Sequence, residues 1–242
     1  MTPVLNSEIL MNVILMFLCY IYIVLVIFVS GKLGHLNISR RASRKFLHAM
    51  IGNLPFIIPF FTYNSFPLNF PFFVAAPFIL VTFLASPYSP FKGLCEKVKG
   101  LADITEEGHQ LGLVFYAISY TFLALFFSSK PYVIAAGILP MAYGDAFASF
   151  IGERYGKGKY RVFAPKSLEG SAAMLLASFS SFTLSLIFFS AVYSFSVLDK
   201  LLASLGVAFV ATLAEGLSPL GFDNITVPAL SALTFLALGG GT

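Results

Sequence analysis

The sequence predicts an all-α fold: a polytopic integral membrane bundle of about eight transmembrane helices. Three observations carry that expectation. Apolar residues make up 58% of the chain and charged residues only 11%, whereas a water-soluble domain has about 25% charged. The mean hydropathy is +0.87. Apolar runs recur along the whole chain, and about 20 residues suffice for a helix to cross a bilayer. The connections between the runs are short, so residues 1–242 are expected to form a single transmembrane domain with no separate soluble unit.

Helices are predicted over 9–29, 47–63, 70–86, 111–128, 131–151, 171–194, 199–217 and 225–240. The first run, Ile9 to Val29, is long for a signal-peptide core, and no basic residue precedes it. It is therefore expected to be a retained span, and no transit peptide is expected. The second and third carry Pro55, Pro59, Pro71 and Pro77. Proline removes a backbone donor, so these two are expected to be kinked, tilted or partly re-entrant. The fifth contains an acid, Asp145, and the sixth opens at Gly170-Ser171. Glu215 lies near the end of the seventh, and Asp223 or Asn224 stands where a cap for the eighth is needed. The two cysteines, Cys19 and Cys95, form neither a ligand spacing nor a disulfide framework.

The basic residues test this topology. Connection 30–46 carries Lys32, Arg40, Arg41, Arg44 and Lys45. Connection 87–110 carries Lys92, Lys97 and Lys99, and connection 152–170 carries Arg154, Lys157, Lys159, Arg161 and Lys166. Alternating spans put all of these on one side, leaving only Lys130 and Lys200 on the other. The basic side is expected to be cytoplasmic, with both termini outside. The polar clusters Arg40–His48, Asp103–His109, Asp145–Ser171 and Glu215–Asn224 fall on that same face. A transporter needs polar groups through the membrane; a one-sided cluster suits an interfacial site joining a soluble ligand to a lipid.

The densest cluster is Gly144 to Ser171. Asp145 lies about six residues, roughly 9 Å, inside its helix. An ionisable group there is costly and marks a functional site. It is expected to be a magnesium ligand or a base for an attacking hydroxyl. Gly152, Gly156 and Gly158 alternate with Arg154, Lys157, Lys159 and Arg161. Glycines let backbone amides approach a ligand, and cations neutralise phosphate. The run Lys166-Ser167-Leu168-Glu169-Gly170-Ser171 then opens a helix whose free amides suit an anion. It is not a Walker loop. Arg41, Lys45 and His48 are spaced to share one helical face, as do Arg44 and His48. Glu215, Asp223 and Asn224 offer oxygens of the type magnesium takes. Glu106, Glu107 and His109 show no persuasive metal spacing, and His35 is a lone loop histidine.

Four of these segments, in this order, resemble the CTP-dependent polyprenol kinase family, which includes dolichol, phytol and farnesol kinases and a CTP-dependent diacylglycerol kinase. They are Gly144-Asp145-Ala146-Phe147-Ala148-Ser149, Gly152-Glu153-Arg154-Tyr155-Gly156, Lys166 to Ser171, and Glu215 with Asp223-Asn224 and Pro228. Arg44-Lys45 with His48 and Gly52 is similar to the family's N-terminal motif. The resemblance runs from about residue 40 to about 230. It departs at Glu153, where the family pattern leads one to expect a second basic residue.

The resemblance implies a phosphotransferase with an alcohol acceptor that moves the γ-phosphoryl group of CTP to a lipid alcohol at the cytoplasmic face. The membrane would be the cell membrane, or the endoplasmic reticulum in a eukaryote. It implies catalytic roles for Asp145, Lys166 and Asp223. It implies nucleotide contacts from Arg44, Lys45, His48, Arg154, Lys159, Ser167, Glu169, Gly170 and Ser171. Magnesium would be held by Asp145, Asp223, Asn224 and Glu215. The short chain favours phytol, geranylgeraniol or farnesol over a long polyprenol or dolichol. Partners are thus CTP, the lipid alcohol and the bilayer, with no nucleic acid. The alternatives are a cytidylyltransferase or diacylglycerol kinase acting on a phospholipid precursor and, from another class, a lipid-phosphate transporter.

Overall fold

The computed structural model describes residues 3–33, 38–90, 110–219 and 221–241. The expectations on His35, Lys92, Cys95, Lys97, Lys99, Asp103, Glu106, Glu107 and His109 lie outside the described residues. Among the described residues the fold is all-α, with two very short antiparallel hairpins. Among the described residues four helices are long and apolar enough to cross a membrane: Ser7–Leu33, Pro131–Tyr155, Leu168–Tyr193 and Leu198–Leu217. Two shorter apolar helical stretches, Phe70–Ala85 and Gly112–Phe127, accompany them.

Helix α1 (Pro3–Leu33) lies at the periphery, with one face exposed from Leu10 to Phe28. Helix α2 (Arg40–Ile51) is capped by Ser39, whose hydroxyl accepts from the Ala42 amide at 3.2 Å. It stops early for the span predicted over 47–63. Pro55 and Pro59 have no amide hydrogen, and the chain continues instead through two 3-10 turns, Leu54–Phe56 and Ile58–Phe60. The segment still runs back along α1. The Tyr63 amide donates to Asn12 Oδ1 at 3.2 Å, and Asn12 Nδ2 donates to Thr62 Oγ1 at 2.6 Å. Asn12 and Leu33 are about 32 Å apart along a helix, close to the hydrocarbon thickness of a bilayer.

Hairpin β1 (Asn64–Ser65) and β2 (Leu68–Asn69) turns the chain into α3 (Phe70–Ala75) and α4 (Pro77–Ala85). Asn69 caps α3 by accepting from the Phe72 amide and ties it to α5 (Gly112–Phe127) by donating to the Ala124 carbonyl at 3.0 Å. Next comes α6 (Pro131–Leu139), a π-helical turn (Pro140–Gly144) and α7 (Asp145–Tyr155), one continuous rod. Every residue of α6 is buried. A helix apolar all round belongs in the centre of a bundle, and α6 is packed by α5, α8 (Leu168–Tyr193) and α10 (Asp223–Ala237). Helix α9 (Leu201–Leu217) packs between α8 and α10. Aromatic rings knit the rod's start: Tyr132 meets Phe189, Tyr193, Phe195 and Phe235.

The two basic residues expected on the far side have a structural task. Lys130 Nζ donates to the Gly241 carbonyl at 2.6 Å, and Lys200 Nζ to the Gly240 carbonyl at 2.9 Å. Together they hold the turn that follows α10.

Phe182 is fully buried against Phe235, with ring centroids 5.0 Å apart. Phe182→Ala is expected to destabilise the protein by about 3–5 kcal/mol. Thermal unfolding in detergent checks this; an unchanged midpoint would contradict the placement of the core.

Candidate functional site

The π turn sets the site's position. Pro140 lacks a donor, and the Asp145 amide bonds back to the Pro140 carbonyl, five residues earlier. Gly144 brings the rod against α8. A side chain there would meet Met174 Sδ at 2.9 Å and would run into Ser178 Oγ as well. The carboxylate of Asp145 is thereby buried at the start of α7, facing α2.

Lys45, on α2, donates to Asp145 Oδ2. Arg44, its neighbour, is buried and within electrostatic reach of Asp145. A second pair lies alongside: Lys166 Nζ donates to Glu215 Oε1, a buried acid at the end of α9. Asp145 senses the charge of Lys166 as well, and Asp223 at the head of α10 senses Asp145, Lys45, Lys166 and Arg44. Among the described residues three cations and three carboxylates therefore compensate one another in one cluster, with Arg44 and the three acids buried and the two lysines half-buried. Burial works against the Lys166 ammonium, but the Glu215 carboxylate outweighs it and holds Lys166 above the usual lysine range. The sign follows: the Lys166 contribution to stability is present at neutral pH and is lost as pH rises through the raised value.

The glycine-rich segment folds as a hairpin, β3 (Lys159–Arg161) against β4 (Pro165–Ser167), with Tyr160 opposite Lys166. The hairpin is seated by Tyr160. Its hydroxyl shares a hydrogen bond of 2.7 Å with Ser171 Oγ and packs on Gly216, where a Cβ would come within 3.0 Å of it. This seating puts Lys166 over Glu215. Gly156 is required by the same packing, since a Cβ there would lie 2.7 Å from Ser167 Oγ.

A cavity of about 300 Å³ opens beside the charge cluster. Its charged wall is Arg41, Asp145, Glu153, Lys159, Lys166 and Glu215, and Ser149, Ser167, Gly170 and Ser171 also line it. Arg41 pairs with Glu153 at 2.7 Å, and Ser149 Oγ donates to Glu153 at 3.2 Å. The acid that departed from the expected basic pattern is thus answered by a cation on α2. That pairing was missed at the sequence level; an acid set in a basic motif is the signal that asks for a cation elsewhere.

Other expected residues are differently engaged. The Gly170 amide, expected to be free for an anion, donates to the capping hydroxyl of Ser167 at 3.1 Å. Glu169 points away from this cavity, and its carboxylate accepts from the Gly158 amide at 3.1 Å, holding the glycine segment. Glu215 is taken up by Lys166 rather than presented to a metal. Arg154 is exposed and lies over the Tyr155 ring, outside the cavity wall. His48 is buried and stacked on Tyr116 at 4.6 Å, also outside that wall.

Among the described residues no group of three His, Cys, Asp or Glu forms a ready metal cage. The oxygens of Asp145, Asp223 and Asn224 nevertheless fit magnesium, which is held by one or two carboxylates plus substrate phosphates. Asn224 Nδ2 donates to Asp223 Oδ1 at 3.0 Å, and its backbone carbonyl accepts from Ser119 Oγ at 2.7 Å. Its buried Oδ1 has no hydrogen-bond partner among the described residues. Buried polar atoms are rarely left so without a reason.

Fold and site together define a polytopic α-helical membrane protein with a compensated charge cluster and a charged cavity, lined by three cations and three carboxylates among the described residues, at one end of its bundle. The chain is a homologue of phytol and dolichol kinases. It is 40% identical over 128 residues to a phytol kinase of Synechocystis sp., covering 52% of this chain and 53% of that protein. It is 29% identical over 147 residues to a probable chloroplastic phytol kinase of Glycine max, covering 58% and 50%. It is 32% identical over 203 residues to dolichol kinase of Saccharomyces cerevisiae, covering 80% and 36%. The chain spans about half the length of the phytol kinases it matches. No family model and no solved structure matches it.

Lys166→Met is expected to lower stability by about 3–5 kcal/mol, because it strands the buried Glu215 carboxylate. Adding Glu215→Leu is expected to restore most of that loss in detergent melts. Equal melting of the single and double variants would contradict the pairing.

Proposed function

We propose that this protein phosphorylates a membrane-embedded isoprenoid alcohol, phytol or a prenyl alcohol of similar length, with CTP as donor. The observation that carries this reading is the 40% identity to a phytol kinase. The charged cavity supports it, because its wall offers both cations that suit phosphate and carboxylates that suit a metal ion. In the reaction the alcohol oxygen bonds to the γ-phosphorus, the bond from that phosphorus to the β–γ bridging oxygen breaks, CDP leaves, and the hydroxyl proton is released.

Phosphoryl transfer rests mainly on positioning and on electrostatic stabilisation. Lys159 and Lys166, on the cavity wall, neutralise the phosphates. Arg44 and Lys45 add positive charge from the α2 side. Glu215 acts as a positioning residue that aims Lys166. Asp145, Asp223 and the Asn224 oxygen would hold magnesium. When bound, the ion supplies charge neutralisation at the phosphates. The Ser167 and Ser171 hydroxyls border the same space and orient the donor.

Eight crossings follow from this reading: α1, α2 with its 3-10 turns, α3 with α4, α5, the α6–α7 rod, α8, α9 and α10. They form one kinase domain. The basic bias of the connections supports a cytoplasmic side for the cavity.

The test is transfer from γ-labelled CTP by purified protein in liposomes with magnesium, against phytol, geranylgeraniol, farnesol, a long polyprenol and diacylglycerol. Label is expected in a prenyl alcohol, and Asp145→Asn is expected to reduce it by at least about a hundredfold. Labelled pyrophosphate released with phosphatidate, and no labelled alcohol, would replace the kinase by a cytidylyltransferase.

A further inference from the structure

A second, larger cavity lies on the opposite face of the same two helices. It has a volume of about 960 Å³, within the range of single-ligand pockets. Tyr143, Phe147 and Ile151 form one wall, spaced four residues apart along the rod. Asp145, Ala148, Ser149 and Gly152, between and beside them in sequence, face the polar cavity instead. Along α8 the groove runs from Glu169 to Ser185, about 24 Å of helix. Its α8 floor is small, with Ala173, Ala177 and Ser181, and its rim residues Phe147, Leu176 and Leu184 are large, apolar and exposed, as lipid-facing residues are.

Among the described residues the groove has one charged group on its walls, Glu169, and it stands at the end next to the polar cavity. The first turn of α8 divides the two spaces, with Ser167, Gly170 and Ser171 on one side and Glu169 on the other. At the closest approach of α7 and α8, a Cβ on Gly170 would lie 2.9 Å from the Ala148 carbonyl, so no side chain fits between the helices there.

We propose that this groove is the tail subsite for an uncharged, single-chain isoprenoid alcohol, lying with its hydroxyl at the Glu169 end. This rests on the kinase reading and names the place of its lipid substrate. The polarity profile selects the occupant: one polar end, then a long apolar length open sideways to lipid. Charge selects it further. The carboxylate of Glu169 accepts a hydroxyl hydrogen bond but repels the phosphate of an ordinary phospholipid headgroup. The phosphorylated product carries the same negative charge, so the mouth that admits the alcohol disfavours its product.

Two measurements test this. A farnesol analogue bearing a terminal diazirine is photolysed with wild-type protein in nanodiscs without nucleotide, and the adducts are mapped by mass spectrometry. Adducts are expected on the α7 and α8 groove walls and are expected to be displaced by geranylgeraniol. Separately, Ser181→Phe is expected to raise KM for geranylgeraniol at least about tenfold while leaving geraniol, which is half as long, unaffected. Ala177→Leu serves as a milder second variant with the same direction. Adducts on other helices, with an unchanged chain-length profile in both variants, would overturn the subsite. Groove adducts without any transfer from CTP would keep the subsite and remove the kinase; transfer with adducts elsewhere would do the reverse.

Discussion

Everything at the functional end of this molecule depends on withdrawing six charges from water, four of them buried and two half-buried, without leaving any of them uncompensated. Lys45 answers Asp145, Lys166 answers Glu215, Asp223 sits within reach of both pairs, and Arg44 sits within reach of Asp145 and Asp223. Such a cluster is a poor way to gain stability, because desolvation removes most of what pairing returns. An apolar bundle end would be easier to fold. Its presence in a chain with 11% charged residues is therefore a functional commitment.

The cluster constrains the elements around it. It needs the start of α7, the hairpin, the end of α9 and the head of α10 in one place, and each is held by its own device. The π turn and Gly144 seat Asp145; Tyr160 between Ser171 and Gly216 seats the hairpin. Because α7 and α8 meet through Gly152, Gly170 and Ala148, the two helices form a thin partition. Charged residues line one side of it and apolar residues the other. A single helix pair thus presents a polar pocket and a lipid-facing groove back to back.

Much of this was legible in the sequence, and the reasons are physical. Hydropathy places the long helices because lipid leaves the backbone few options. Asp145 stands out because a carboxylate inside an apolar run must have a cause. The alternation of basic residues brought the polar segments to one end. What stayed hidden is pairing across distance. Lys45 and Asp145 are 100 residues apart, and Lys166 and Glu215 are 49 apart; spacing carries no trace of either contact. Local competition was also hidden: Ser167 takes the Gly170 amide, and Glu169 also accepts from the Gly158 amide, so the Gly170 amide and the Glu169 carboxylate are both engaged within the protein. The second span keeps its course but not its helix, because Pro55 and Pro59 lack the donors that a continuous ladder needs.

The central claim is that the compensated cluster exists to receive a nucleoside triphosphate. Thermal unfolding of the detergent-solubilised protein with and without CTP and magnesium, in the absence of any lipid alcohol, tests it most directly. A ligand at a hundredfold excess over its dissociation constant adds about 2.7 kcal/mol to the stability of the state that binds it. A rise in midpoint with CTP is expected for the wild type and is expected to vanish in the folded Lys166→Met/Glu215→Leu variant. No rise with any nucleoside triphosphate, or an equal rise in that variant, would contradict the claim.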